Sequence, residues 1–214
     1  FNFFPNGITE NEVKIGLKIL NNNLSLNDYA SNNRGDMLQK KISDIGKHKV
    51  IGGKDIDKYQ IRSIKGFIND KSLTSERGRI NKNSVLVQNI VAHVTTPIER
   101  IQITACIPQE RECIIIDTIN QITMNDIKVS NKYVWALLNS RLINWYCYLF
   151  IFGKAIRTMH FDSPVTSKIP IKLPKNQSPI ICLADYILFF FKFKLIYPYF
   201  TCIAFYLYTQ VYSL

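Results

Sequence analysis

The sequence has few of the residues that build metal centres and redox sites. Five cysteines and three histidines occur among 214 residues, and they form neither a Cys-x-x-Cys pair nor a Cys/His zinc spacing. The odd number of cysteines, and the apolar neighbours of Cys147 and Cys182, predict reduced and buried thiols. We therefore expect no metal site in this chain and a cytoplasmic location.

The motifs of nucleotide-binding and base-modifying enzymes are also missing. Only nine glycines occur, and the glycine pair in residues 52–55 lacks the strand–glycine–helix spacing that holds a phosphate. No Asn/Asp-Pro-Pro-aromatic loop, as used in amino methylation, is present. Asp117 with residues 126–128 loosely fits a metal-dependent nuclease, but the same carboxylate-to-lysine spacing recurs in residues 12–14, which favours chance. The chain is thus expected to contribute no catalytic residue and no cofactor site, although its status as part of an enzyme stays open.

Acidic residues are scarce relative to basic ones. The chain has 27 Lys plus Arg against 16 Asp plus Glu, a formal net charge of +11. Between Met37 and Lys82 we count twelve basic and five acidic residues, a local balance of +7. Such an excess is typical of proteins that contact phosphates, although a solubilising surface or a lysine-rich coding bias gives the same composition.

Polar and basic residues near predicted loops are the candidates for nucleic-acid contact. Arg and Lys side chains hold phosphates, while Asn, Gln and Arg on loop tips contact base edges. The residues of the base-reading kind are Arg34, Gln88, Asn89 and His93. Those placed on the phosphate side are Lys54, Lys58, Arg62, Lys154, Arg157, His160 and Lys168.

Hydrophobic periodicity predicts an α+β fold with a mixed or antiparallel, β-rich body. Polar residues 24–35 and 69–83 are predicted loops, and the run 113–118, apolar on both faces, is predicted to be a central strand. The full set of predicted strands is 49–53, 59–64, 84–90, 100–105 and 113–118.

Two helices are predicted to flank this body. One spans residues 130–149, with Leu137, Leu138, Leu142 and Ile143 as core positions, and the other spans 178–190, beginning at a Ser-Pro pair. The type of residues 1–23 is left open. A capping-box pattern at Thr9–Glu12 favours a helix, while the alternation that follows it favours a strand.

Five ordered blocks resemble the TaqI-like C-terminal specificity domain of type II restriction–modification methyltransferases. Residues 50–59 are similar to the family pattern R-G-(R/K)-D-I-x-(R/K)-Y, and residues 84–88 to K-I-L-V-(Q/R). Residues 133–146 contain a close match to L-L-N-S-(K/R)-L-I-N, residues 169–171 match I-P-I, and residues 177–188 resemble the closing helix Q-x-P-I-I-x-L-V-D-x-I-L. Shorter matches lie at 103–105 and 117–119.

The resemblance implies a DNA-reading domain that works beside a catalytic domain. That upstream domain would bind S-adenosylmethionine and methylate adenine N6, and the same protein could also carry an endonuclease. This chain would contact double-stranded DNA and choose the target sequence. The implied organisation is an upstream segment at 1–23, the specificity domain at 24–188, and an atypical aromatic tail at 189–214.

The tail departs from the family pattern. Residues 195–214 are uncharged and long enough to span a bilayer, but Pro198 and several polar residues weaken that interpretation. A frameshifted or non-native end is favoured over a membrane anchor, so a membrane partner is not expected. The alternative hypothesis is a membrane-associated or protein-interaction module that uses this tail.

Overall fold

The computed structural model describes residues 7–21, 24–73, 75–109, 112–154 and 158–196. Helices and sheets are both present, and the sheets are antiparallel or mixed, so the predicted α+β class is confirmed. The helical segments are α1 (Glu10–Leu20), α2 (Asn131–Asn139), α3 (Arg141–Tyr146) with a π-helical continuation at Cys147–Ile151, α4 (Ser163–Thr166) and α5 (Ser178–Ile196). The strands are β1 (Ala30–Arg34), β2 (His48–Ile51), β3 (Gly66–Ile68), β4 (Ser84–Gln88), β5 (Ile90–Val94), β6 (Arg100–Gln102), β7 (Ala105–Cys106), β8 (Ile114–Ile115), β9 (Ile119–Met124) and β10 (Met159–His160).

Three small sheets make up the β part of the described chain. The largest is antiparallel with strand order β1-β9-β4-β7, and a second antiparallel sheet has the order β10-β5-β6. In the third, β2 pairs with β3 antiparallel and with β8 parallel. The four-stranded sheet is the centre of the fold because both of its faces are covered.

Alternation along β4 explains that burial. Val85 and Val87 belong to the large core beneath the helices, whereas Leu86 points to a second cluster with Ile115 and Ile119. Successive side chains of a strand face opposite sides, so one strand contributes to two cores. This double burial is why residues 85–87 of β4 form an uninterrupted apolar run.

Several strand predictions need correction. Residues 59–64 were predicted as a strand but form a turn, because the Asp57 carboxylate accepts from the Tyr59 and Gln60 amides at 2.7 and 3.0 Å. Residues 24–35 were predicted as a loop but contain β1. The buried run 113–118 contains β8, which lies at a sheet edge and is covered by isolated bridges rather than by a second strand.

The long helix predicted at 130–149 is broken at Ser140. This residue has extended backbone angles; its hydroxyl donates to the Leu137 carbonyl at 2.6 Å and accepts from the Ile143 amide at 3.2 Å. It therefore ends α2 and caps α3. The break changes the buried face, so Leu138 and Ile143 are core as predicted, whereas Leu142 is 53% exposed.

The open choice at the start of the chain is settled in favour of a helix. The Thr9 amide donates to the Glu12 carboxylate at 2.7 Å, and the Glu12 amide donates to Thr9 Oγ1 at 3.3 Å. This reciprocal capping box starts α1, whose Gly16 packs against the Phe150 ring.

The cysteines divide into buried and exposed members. Cys106, Cys113 and Cys147 are buried, and burial raises the pKa of the Cys106 and Cys147 thiols. Cys182 was predicted to be buried but is exposed on α5, because its position lies outside the face that packs Ala184 into the core.

The last helix runs past the predicted end at residue 190 to Ile196. Within the described ranges, no helix combines the length and apolar character needed to cross a membrane. The membrane alternative rests on the aromatic tail at 189–214, and residues 197–214 of this tail lie outside the described residues.

Candidate nucleic-acid interface

Three strands of the four-stranded sheet meet at one end, which we call the junction. Arg34 at the end of β1 pairs with Asn120 near the start of β9, and Gln88 at the end of β4 pairs with Ile119. Thr118, just before β9, accepts the Asn89 amide on its carbonyl oxygen at 2.9 Å. Residues that are distant in the sequence are thus brought together at this point.

A basic loop, residues 52–62, is attached to the junction at its first turn. The Gly53 amide donates to Thr118 Oγ1 at 2.9 Å, and Gln88 Nε2 donates to the Gly53 and Ile56 carbonyl oxygens at 2.7 and 3.3 Å. A Cβ atom on Gly53 would lie 2.8 Å from the Thr118 carbonyl oxygen. Glycine is therefore required for the close approach of the two backbones.

The same loop is fixed internally and at its far turn. The Asp55 carboxylate accepts from the Gly52 amide at 2.8 Å and from the Ser63 hydroxyl at 2.6 Å. Trp135 Nε1 on α2 donates to the Lys58 carbonyl oxygen at 2.6 Å. The backbone that carries Lys54, Lys58 and Arg62 is consequently held by hydrogen bonds at both ends.

Beneath the junction lies a network of polar side chains, which we call the junction network: Asn32, Asn89, Asn120 and Asp162. Asn89 Nδ2 donates to Asn120 Oδ1 at 2.7 Å and to Asp162 Oδ1 at 2.9 Å. Asn120 Nδ2 lies 3.0 Å from Asn32 Oδ1 and 3.0 Å from the Phe161 carbonyl oxygen. Asn89 and Asn120 are each 1% exposed, so the network ties β1, β4, β9 and the segment after β10 together away from solvent.

Four of the predicted contact residues have exposed side chains at the junction or on the basic loop attached to it, and we call them the basic rim: Arg34, Lys54, Arg62 and His160. Arg34 Nε donates to the Asp117 carbonyl oxygen at 2.5 Å. A terminal nitrogen of Arg62 lies 3.4 Å from the Lys54 carbonyl oxygen, and His160 Nδ1 is 2.7 Å from Asn89 Oδ1. The rim thus brings together residues from three separate sequence segments, namely the end of β1, the basic loop and β10.

Two predicted base-reading residues belong to the supporting structure instead. Gln88 uses its amide nitrogen to hold the basic loop, and Asn89 is enclosed in the junction network. Neither amide group is turned toward solvent in the way that a base contact requires. Their polarity is explained by the need to pair buried backbone and side-chain groups.

The other predicted residues are dispersed. His93 Nε2 lies 3.0 Å from Glu99 Oε1 in the β5–β6 hairpin, Lys154 Nζ donates to the Gly7 carbonyl oxygen, and Lys168 is exposed beside α1. These three do not join the basic rim, and their part in DNA contact stays a prediction. Arg157 lies outside the described residues.

Lys58 lies in a separate group of positive charges. Burial lowers the pKa of Lys58, and the neighbouring guanidinium groups of Arg100 and Arg141 lower that pKa further. Sequence reasoning missed Arg100 and Arg141, because the first begins a strand and the second begins a helix after the Ser140 break. Only the fold reveals that the three cations are neighbours.

The helix block of the sequence is mainly scaffold. Asn139 Nδ2 donates to the Ala105 carbonyl oxygen at 2.9 Å, and Asn144 Oδ1 accepts from the Ile103 amide at 2.6 Å. The first contact attaches α2 to β7, and the second attaches α3 to the segment between β6 and β7. Asn139 and Asn144 therefore hold the helices against the sheet region and are not part of the basic rim.

The loose nuclease pattern does not assemble. Asp117 precedes β9 and Asp126 follows it, so the two are separated by a strand of about 20 Å. Among the described residues there is no group of three or more His, Cys, Asp or Glu side chains that could hold a metal ion.

A family model gives independent information on this arrangement. The model for the TaqI-like C-terminal specificity domain matches residues 48–171, more than half of the chain, and it includes the basic loop and most of the junction. The chain belongs to this family. It is a specificity domain of the restriction–modification kind, and the resemblance carried by the sequence blocks is confirmed over this range.

The solved structures similar to the chain include two from type I restriction–modification systems, and among curated proteins none matches. One is from work on assembly and conformational transition of the type I restriction–modification system, with a TM-score of 0.50, 12% identity, and coverage of 77% of this chain and 37% of that one. The other is a type I restriction–modification S subunit from M. genitalium, with a TM-score of 0.46, 12% identity, and coverage of 87% and 46%. The chain thus spans less than half the length of either structure, and the first supports the fold alone.

Proposed function

We propose that this specificity domain selects the DNA sequence on which a cytoplasmic restriction–modification system acts, through double-stranded DNA bound across the junction. An upstream catalytic domain would transfer the methyl group of S-adenosylmethionine to adenine N6. That adenine must leave the base stack to reach the catalytic centre, so a second domain that holds the neighbouring sequence has a clear purpose.

The observation that carries the proposal is the basic rim on its hydrogen-bonded support. Lys54 is exposed and has no ion-pair partner within the described ranges. Within the same ranges, Arg34 donates one side-chain hydrogen bond, from Nε to the Asp117 carbonyl oxygen. Phosphate contacts fix the register of a protein on a duplex and need cations whose backbone is well placed. The basic loop supplies that placement at Gly53 and Lys58.

The exposed apolar residues of α5 fit a contact with the catalytic part of the system. Leu183 is 58% exposed, Tyr186 61% and Phe189 55%. Such residues grouped on one helix are typical of protein–protein contacts. The proposed division is therefore DNA at the junction and protein along α5.

Sequence selection by the full 214-residue chain tests the proposal. The chain is incubated with a pool of random duplexes and bound DNA is recovered over several rounds. We expect one sequence to be enriched and its affinity to fall steeply with salt, since phosphate contacts release counterions. Absence of duplex binding at low salt, or binding with no enriched sequence, would contradict the proposal.

The assignment of the cofactor to another domain has its own test. Equilibrium dialysis of the chain against labelled S-adenosylmethionine is expected to show no retention. Saturable binding of the cofactor by this chain would place the methyl donor here and overturn the proposed division of labour.

A further inference from the structure

His160 is the one member of the basic rim whose side chain is in direct contact with the junction network. It lies in β10, which pairs with β5 through Met159 and His160, and its ring is exposed. Nδ1 faces Asn89 Oδ1 at 2.7 Å, and Nε2 has no partner in the part of the chain that the structure describes. Which nitrogen carries the proton decides what this ring can bind.

The amide orientations in the junction network follow from the Phe161 carbonyl oxygen, which can only accept hydrogen bonds. Asn120 Nδ2 lies 3.0 Å from the Phe161 carbonyl oxygen, and Asn32 Nδ2 lies 2.9 Å from the same atom. A carbonyl oxygen has no proton to give. The nitrogen of the Asn120 amide must therefore face Phe161, and its oxygen must face Asn89.

The same argument then fixes Asn89. Its Nδ2 meets Asn120 Oδ1 at 2.7 Å and the Asp162 carboxylate at 2.9 Å. The reversed amide would place an oxygen against both of these acceptors. Asn89 Oδ1 therefore faces His160, and the contact at 2.7 Å requires Nδ1 to carry a proton.

A neutral His160 consequently presents Nε2 to solvent as a hydrogen-bond acceptor. An acceptor cannot bond to a phosphate oxygen, which is itself an acceptor. It can bond to the exocyclic amino group of a base, found on adenine and cytosine in the major groove and on guanine in the minor groove. Resting on the proposed function, we propose that His160 reads one such amino group and thereby helps determine the target sequence.

Base analogues without the amino group test this role directly. In the duplex enriched by the chain, each adenine is replaced in turn by purine, each cytosine by 2-pyrimidinone and each guanine by inosine. Affinities of the full-length chain and of His160→Ala are compared at about pH 8, above the range in which histidines ordinarily titrate. Because both proteins are measured on the same duplexes, the effect of each analogue on base pairing cancels.

One position is expected to behave differently from the rest. There, loss of the amino group weakens the full-length chain roughly three- to tenfold, as for one hydrogen bond, while His160→Ala binds both duplexes equally. If His160→Ala keeps the full response at every position, the assignment is wrong. Uniform weakening of all duplexes with a lower salt slope would instead show a phosphate contact and would also overturn it.

A second variant separates an acceptor from a cation at this position. His160→Lys can only donate, so we expect it to lose the preference at the sensitive position while its affinity for unrelated duplexes stays the same or rises. Retention of that preference by His160→Lys would contradict the assignment. A chain that binds no duplex overturns the proposed function itself, whereas selective binding that ignores these substitutions overturns the role of His160 alone.

Discussion

Asn89 Oδ1 and His160 Nδ1 are 2.7 Å apart at the junction, yet one side chain is buried and the other is exposed. Asn89 is 1% exposed and has partners for both ends of its amide. His160 has one nitrogen in that network and the rest of its ring at the surface. The junction network and the basic rim are thus adjacent layers, one that holds strands together and one that is free to meet a ligand.

The difference between these layers has an energetic consequence. Removing a buried polar group leaves its partners unpaired, which costs more than the bond itself contributed. Removing an exposed cation leaves no buried partner unpaired. Substitutions in the network should therefore change stability, and substitutions in the rim should change DNA binding.

Asn120→Ala is expected to have the largest effect on folding. It removes one hydrogen bond from each of Asn89 Nδ2, Asn32 Oδ1 and the Phe161 carbonyl oxygen, and we expect the free energy of unfolding to fall by about 3 kcal/mol. Urea denaturation measures this change. The control is Asn33→Ala on the same strand pair, an exposed residue, which should stay within about 0.5 kcal/mol; equal effects of the two variants would contradict the distinction.

Gln88→Ala is expected to have a smaller effect on stability and also to lower DNA binding. Its amide nitrogen holds the Gly53 and Ile56 carbonyl oxygens, so we expect a loss of about 1–2 kcal/mol in unfolding free energy. Duplex affinity should also fall because the basic loop loses an anchor.

The matched control for Gln88 is Gln39→Ala. Gln39 is exposed, and its amide nitrogen donates to the Asp117 carboxylate at 3.0 Å. If Gln39→Ala lowers stability as much as Gln88→Ala does, the anchoring role of Gln88 is wrong. Urea denaturation and fluorescence anisotropy with a labelled duplex provide the two readouts.

Lys54→Ala combined with Arg62→Ala should leave the fold intact. Both side chains are exposed. Arg62 Nε lies 3.8 Å from Asp57 Oδ2, and such an ion pair at the surface contributes little to stability. The free energy of unfolding is expected to change by less than about 0.5 kcal/mol. A loss above about 2 kcal/mol would show that these residues support the loop rather than line its surface.

The smallest expected effect concerns the pKa of Lys58. Burial, Arg100 and Arg141 lower this pKa below 10.5, so between the folded-state pKa and 10.5 the unfolded chain binds more protons and stability rises with pH. Arg141→Ala should bring the pKa partly back and flatten that rise. NMR titration of the Lys58 side chain measures the shift, and Arg77→Ala should leave it unchanged.

The sequence predicted the class of fold and the family, but only part of the site. The blocks at 50–59 and 133–146 were recognised by their resemblance to the family pattern, and composition and periodicity alone did not single them out. The turn at Asp57 and the break at Ser140 depend on which backbone groups each side chain finds, and periodicity does not show this. Placing Asn89 in the interior required its partners Asn120 and Asp162, which are distant in sequence.

The dispersed candidates illustrate the same limit. Lys154 and Lys168 have the same chemistry as Lys54 but lie beside the α1 region. Charge identifies a class of residue, whereas the pairing of β1, β4 and β9 decides which charges share a surface. Arg100 and Arg141 were overlooked for the converse reason, since only the fold brings them near Lys58.

The salt dependence of duplex binding tests the central claim most directly. The full chain, the Lys54→Ala/Arg62→Ala variant and a Lys14→Ala/Lys18→Ala control on α1 are titrated with the same duplex over a range of salt concentrations. We predict that the rim variant loses affinity for every sequence and that its slope of log affinity against log salt falls by about two phosphate contacts, while the α1 control matches the full chain. Equal slopes for all three proteins would contradict DNA binding at the junction.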